Sequence, residues 1–212
     1  MWNQKIINCI KNKIPFYQKK LFKSKLTSWK EIEKLLNCRP FVNTSRFKIP
    51  SGYSYGWDMQ EWLTDVNTYP PSVVNKIIKK HWFYIIDCSR INKKINSICK
   101  YLEDITGMPS DAHIFISNKP NKKYDNKSFG KHKDTQDNLI ISVEGSQKIA
   151  IYKKDNPNEL EFEKTLKSGD AVFIPAGRFH KITGLEKRLS VSFPMVPTLI
   201  YPKQEREWIT LS

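Results

Sequence analysis

No run of apolar residues in this chain approaches the roughly 18 that a membrane-spanning helix needs, so no helical membrane span is expected. Residues 1–30 lack the continuous apolar stretch and small-residue cleavage site of a secretory leader, and a cytoplasmic location is the expectation. The four cysteines, Cys9, Cys38, Cys88 and Cys99, form no C-x-x-C pair. That leaves a zinc knuckle or thioredoxin-type site unsupported and free thiols the expected state. No internal repeat is visible, and no Ser/His/Asp or Cys/His set offers a nucleophile with its base. Acidic residues are scarce, 21 against 36 basic ones, for a formal charge of +15. Arginine is scarce too: only six of the basic residues are arginine, and the rest are lysine.

What is present supports one sizeable core in 212 residues, with 39% hydrophobic and 12% aromatic content. The excess of lysine suits a polyanion, and equally an A/T-rich coding sequence, since asparagine and isoleucine are abundant as well. Residues 5–30 carry eight lysines and no acid, and residues 119–133 are also lysine-rich. These two segments are the candidate polyanion contacts. The second, within the polar stretch 117–131, also suits a lid or substrate loop.

The first half reads as helical. In S-W-K-E-I-E-K-L-L, Ser28 and Glu31 form a capping box. Residues 56–66 and 70–83 read as two further helices. In residues 89–107, Ile91, Ile95, Ile98, Leu102 and Ile105 form one stripe, with Ser89 as the expected cap and Gly107 as the stop. After Gly107 the period falls from 3.6 to 2. Residues 112–117, 138–145, 147–154, 169–175, 180–183 and 188–195 read as short strands separated by turn residues. The expected class is α+β, a double-stranded β-helix (jelly roll, cupin-like) braced by N-terminal helices. Residues 1–106 form the mainly helical region, 107–200 the core and 201–212 a tail.

The residues with the clearest chemistry are His132 and Asp134, one position apart at the entrance to a strand, and His180, which follows a Pro-Ala-Gly turn. Two histidines and one carboxylate make a face that holds Fe(II) while leaving positions open. An antiparallel jelly roll can bring such distant segments together. The segments H-K-D-T-Q-D-N-L-I-I-S-V-E-G and L-K-S-G-D-A-V-F-I-P-A-G-R-F-H-K-I resemble the JmjC/cupin-type 2-oxoglutarate oxygenases, closest to the small asparaginyl-hydroxylase and tRNA wybutosine hydroxylase group. The likeness covers roughly residues 107–195, and C-R-P-F-V at 38–42 resembles the family's entry segment more weakly.

The resemblance implies that His132, Asp134 and His180 are the metal ligands and catalytic residues, with Fe(II), 2-oxoglutarate as co-substrate and O2. Hydroxylation of a substrate would then accompany release of succinate and CO2. Relatives commonly place Lys or Arg two residues after the glycine that ends the H-x-D strand; here Gln147 stands there, with Lys148 one later. Parity turns Gln147 inward with Ile149 and Ile151, and Lys148 outward. In R-L-S-V-S-F-P, Arg188, Ser190 and Ser192 share the face opposite Leu189, Val191 and Phe193. Arg188 with Ser190 is therefore the preferred holder of the far carboxylate, with Lys148 as the alternative. Asn138 aligns with a family asparagine facing the co-substrate. His113 reads as a structural strand histidine that could line the pocket. His81, Trp57, Trp62 and Trp82 read as packing residues, and Asp137 and Glu144 as facing solvent or neighbouring strands.

By the family's commonest habit a protein side chain would be the substrate, with nucleic acid, nucleotide or small molecule left open. Relatives often form homodimers through terminal helices, an arrangement open here too. A metal-binding cupin isomerase or epimerase, a dioxygenase that does not use 2-oxoglutarate, and a non-catalytic cupin binding module are the rival readings.

Overall fold

The structure is a computed structural model, described over residues 2–36, 47–48, 82–117 and 129–196. Outside these residues lie the expected helix at 56–66, most of that at 70–83, the segment 38–42, the loop 118–128, His81, Trp57, Trp62 and the tail.

Three helices and ten strands are described: α1 (Gln4–Lys11), β1 (Phe16–Gln18), α2 (Trp29–Leu36), β2 (Phe47–Lys48), β3 (Phe83–Ile85), α3 (Lys93–Thr106), β4 (His113–Ser117), β5 (Asp137–Glu144), β6 (Gln147–Tyr152), β7 (Leu160–Leu166), β8 (Ala171–Ile174), β9 (His180–Gly184) and β10 (Arg188–Met195). They form a seven-stranded sheet, β1-β8-β5-β10-β4-β3-β2, facing a three-stranded one, β7-β6-β9. The pairings are antiparallel throughout. This is an α+β jelly roll.

Period-2 alternation sorts the large sheet into two faces. Leu139, Ile141 and Val143 of β5, Leu189, Val191 and Phe193 of β10, and Ile114 and Ile116 of β4 pack on the helices, meeting Ile95 and Leu102 of α3, Ile32 of α2 and Ile6 and Ile10 of α1. Each such side chain, fully buried, contributes about 1.5–3 kcal/mol. The opposite face, carrying Ile140, Val172 and Ile174, meets Ile149, Ile151 and Leu166 of the smaller sheet. Strand β5 is therefore covered on both sides.

The capping box forms as the sequence implies. The Glu31 backbone N–H donates to Ser28 Oγ (3.2 Å), and the Ser28 N–H donates back to Glu31 Oε2 (3.0 Å). Helix α3 starts later than expected. Asn92, not Ser89, accepts the Ile95 N–H (3.0 Å), because Ser89 is engaged through its own N–H by Asp111. Gly107 ends the helix in the left-handed conformation, φ 69°.

The N-terminal region, expected to be mainly helical, also supplies β1, β2 and β3 to the large sheet. Phe83, read as the end of a helix, instead opens β3, where aromatic and β-branched residues pair with β4. The lysine-rich stretch at 5–30 is built into α1, β1 and the approach to α2, with Ile6, Ile10 and Leu26 buried.

Candidate metal centre

His132 and His180 face each other across an isolated antiparallel bridge. The His132 N–H donates to the His180 carbonyl (3.0 Å), and the His180 N–H donates to the His132 carbonyl (2.8 Å). A pair that exchanges both bonds puts its side chains on one face, and the two imidazole centroids are 4.3 Å apart. Asp134, two residues on, returns to the same face, which is the physical sense of H-x-D. Its Oδ1 lies 3.7 Å from His132 Nε2 and its Oδ2 lies 3.7 Å from His180 Nε2. One ligand atom from each of the three residues lies within 4.8 Å of the others.

Both rings are oriented by the backbone. His132 Nδ1 donates to the Gly130 carbonyl (2.8 Å) and His180 Nδ1 to the Arg178 carbonyl (3.0 Å). A carbonyl can only accept, so each Nδ1 carries the proton and each Nε2 lone pair points at the shared centre. Burial pushes the His180 imidazole below its ordinary value. The hydrogen bond to Arg178 opposes that shift, the neighbouring His132 adds to it and Asp134 opposes it. A neutral ring is the form that binds a metal. The His180 side chain is 2% exposed, against 31% for His132 and 30% for Asp134, so the centre has a protein floor and an open outer side. This donor set fits a divalent ion of the iron class with open positions.

The triad borders a cavity of about 250 Å³. One wall is polar, with Asn138, Arg188, Ser190 and Ser192; another is aromatic, with Tyr84, Phe115 and Phe129, and His113 beside them. Arg188 is 2% exposed. Its Nε donates to Ser117 Oγ (2.9 Å) and its Nη1 donates to Gln147 Oε1. Burial lowers its guanidinium to about 10, which still leaves it charged at neutral pH. Among the described residues no carboxylate pairs with it, so a buried cation rests on neutral acceptors alone. Such a charge favours an anion entering the cavity. Gln147 is buried, while Lys148 lies on the outer face, 3.1 Å from Glu163 Oε1, and does not line the cavity. Asn138 is held by the Ser192 hydroxyl, which donates to its Oδ1.

His113 Nε2 is 3.5 Å from Asp111 Oδ2. Burial works against the Asp111 carboxylate, yet hydrogen bonds from His113, the Ala112 N–H and Ser89 hold it below its ordinary value. Trp82 is buried, its ring edge-on to Phe129 at 4.7 Å. Phe129 in turn contacts the His132 ring (5.3 Å). Asp137 corrects the sequence reading: it is buried, 2% exposed, because Lys13 and the Ala176 N–H occupy its two carboxylate oxygens. Glu144 does meet a neighbour, Lys25, at 3.0 Å. The aromatic wall was not read from the sequence: Tyr84 lies on β3, where no strand was expected and the expected helix ended at Phe83.

No protein-family model matches the chain, and no curated sequence matches it significantly. Solved structures do. The crystal structure of the Escherichia coli ribosomal oxygenase YcfD superposes with a TM-score of 0.63 at 17% identity, over 99% of this chain and 54% of that one. This chain has the fold of the matched half of YcfD. YcfD in complex with cobalt and 2-oxoglutarate gives 0.56 at 18% identity, and YcfD with cobalt and succinic acid gives 0.58 at 19%, each over 92% of this chain and 50% of that one. The chain thus spans about half the length of the YcfD structures it matches. The similarity takes in the jelly roll, the two facing sheets and the helices packed behind them.

Proposed function

We propose that the chain is an Fe(II)- and 2-oxoglutarate-dependent dioxygenase that hydroxylates a macromolecular substrate, with a protein side chain favoured over nucleic acid. The observation that carries this reading is the convergence of His132, Asp134 and His180, both Nε2 atoms free and aimed at one carboxylate, beside a buried arginine that no acid among the described residues neutralises. The fold shared with YcfD, an oxygenase solved with cobalt and 2-oxoglutarate, supports it.

His132, Asp134 and His180 would hold the iron. With O2, the metal and 2-oxoglutarate supply the oxidising chemistry, coupling decarboxylation to succinate and CO2 with hydroxylation of a substrate C–H bond. Arg188, oriented by Ser117 and Gln147, would bind the far carboxylate of the co-substrate, aided by Ser190. Asn138 and Ser192 complete the polar wall. The buried floor around His180 keeps water from that side, and the more exposed His132 and Asp134 face the entering substrate. The residues need move no proton as base or nucleophile: the Gly130 and Arg178 carbonyls fix the tautomers of both imidazoles. The free thiols Cys9 and Cys99 accord with a cytoplasmic setting. No helix among the described residues is long and apolar enough to cross a membrane.

The test is succinate release from 2-oxoglutarate in air. It should require added Fe(II) and fall to background in His180→Ala. Absence of stoichiometric iron binding by the wild-type chain, or iron-independent turnover, would refute the reading.

A further inference from the structure

We propose that Asp137 is a positioning residue for the metal site, acting through the turn at 175–178 and held in place by Lys13. This rests on the reading above only in requiring that His132, Asp134 and His180 bind a divalent ion.

A carboxylate excluded from water needs partners for both oxygens. Asp137 Oδ1 accepts the Ala176 N–H (2.9 Å), and Oδ2 pairs with Lys13 Nζ. Ala176 is the first of three consecutive residues that each grip a different part of the site. The Gly177 N–H donates to the Asp134 carbonyl (2.8 Å), and the Arg178 carbonyl accepts the His180 Nδ1 proton (3.0 Å). One short turn thus binds the segment carrying Asp134 and the ring of His180, and Asp137 anchors that turn to the start of β5. Gly177 adopts φ 75°, a left-handed conformation suited to glycine. Arg178 is tied down independently, its Nη1 donating to the Tyr152 carbonyl (3.2 Å) and its Nη2 lying 2.7 Å from Glu161 Oε2.

Asp137 lines no part of the cavity and offers no atom to the ion; its effect passes through main-chain bonds. Lys13 reaches it from just past α1, itself at φ 56°, a left-handed conformation that non-glycine residues rarely adopt. The N-terminal segment is thereby joined to the back of the metal site.

Asp170 provides the matched comparison. It is 3% exposed and grips the same N-terminal segment, accepting from the Tyr17 hydroxyl (3.0 Å) and the Lys20 N–H (2.9 Å), but it touches neither ligand nor the 175–178 turn. The experiment titrates cobalt(II) into the metal-free 212-residue chain and follows its visible absorption bands. Asp137→Ala should weaken cobalt binding by about ten- to a hundredfold and alter the band pattern. Asp137→Asn combined with Lys13→Met keeps an acceptor for the Ala176 N–H in a neutral pair, and should stay within about threefold of wild type. Asp170→Asn should lower the melting temperature while leaving the bands unchanged.

Should Asp137→Ala fail to fold, Asp137→Leu with Lys13→Met replaces it, removing the acceptor while filling the space, with the same loss expected. Wild-type affinity and bands in a folded Asp137→Ala or Asp137→Leu variant overturn the inference alone. So does an equal loss in Asp170→Asn or in the Asn/Met pair. No cobalt uptake by the wild-type chain overturns the metal-site reading and this inference together.

Discussion

At the scale of single residues, Arg188 is the most exacting placement in the cavity. A cation this buried, bonded to Ser117 and Gln147, has interaction capacity that no acid among the described residues uses. If the 2-oxoglutarate carboxylate is its partner, Arg188→Met should raise the co-substrate's dissociation constant at least about thirtyfold, the cost of breaking a buried charge pair. Lys148→Ala should leave it within about twofold, because Lys148 faces solvent and an exposed pair contributes little. Calorimetric titration of the cobalt-loaded protein with 2-oxoglutarate measures both. The orientations of Gln147 and Lys148 were legible in the sequence because strand period is strict and their neighbours Ile149 and Ile151 mark the inner face. The burial of Asp137 was not. An acid at the start of a strand normally reads as solvent-facing, and its partners come from 124 residues upstream and 39 downstream, which no local pattern reveals.

At the scale of elements, the strands of the core were legible where alternation and burial coincide, as in β4 and β10. Strand β7 escaped because Leu160–Leu166 pairs on one side only and is mostly exposed, so L-E-F-E-K-T-L offers little apolar contrast. The start of α3 was misplaced for a similar reason: Ser89 and Asn92 are both good caps, and only the tertiary bond from the Ser89 N–H to Asp111 selects between them. Helix α3 carries the covering layer over the large sheet. Leu102, fully buried among sheet and helix residues, predicts a loss of about 2–5 kcal/mol on Leu102→Ala, read by chemical denaturation. A much smaller loss would show that α3 docks weakly on the sheet.

At the scale of the whole molecule, the lysine-rich N-terminal segment is not an appendage. Strand β1 pairs with β8 of the large sheet, and Ile6 and Ile10 join the principal core. Deletion of residues 2–20 should therefore lower the melting temperature by at least about 10 °C, seen by circular dichroism. An unchanged melt would mean that the sheet closes without β1. Positive charge in this region decorates a folded edge, so any polyanion contact would be made by a rigid surface.

The doubly bonded link between residues 132 and 180 bears on what an ion would contribute here. Main-chain contacts alone join the two imidazole-bearing segments, so that end of the barrel is stitched shut by the polypeptide itself. An ion bound there would be a guest in a finished socket, and a chelator should strip it out while leaving the protein standing.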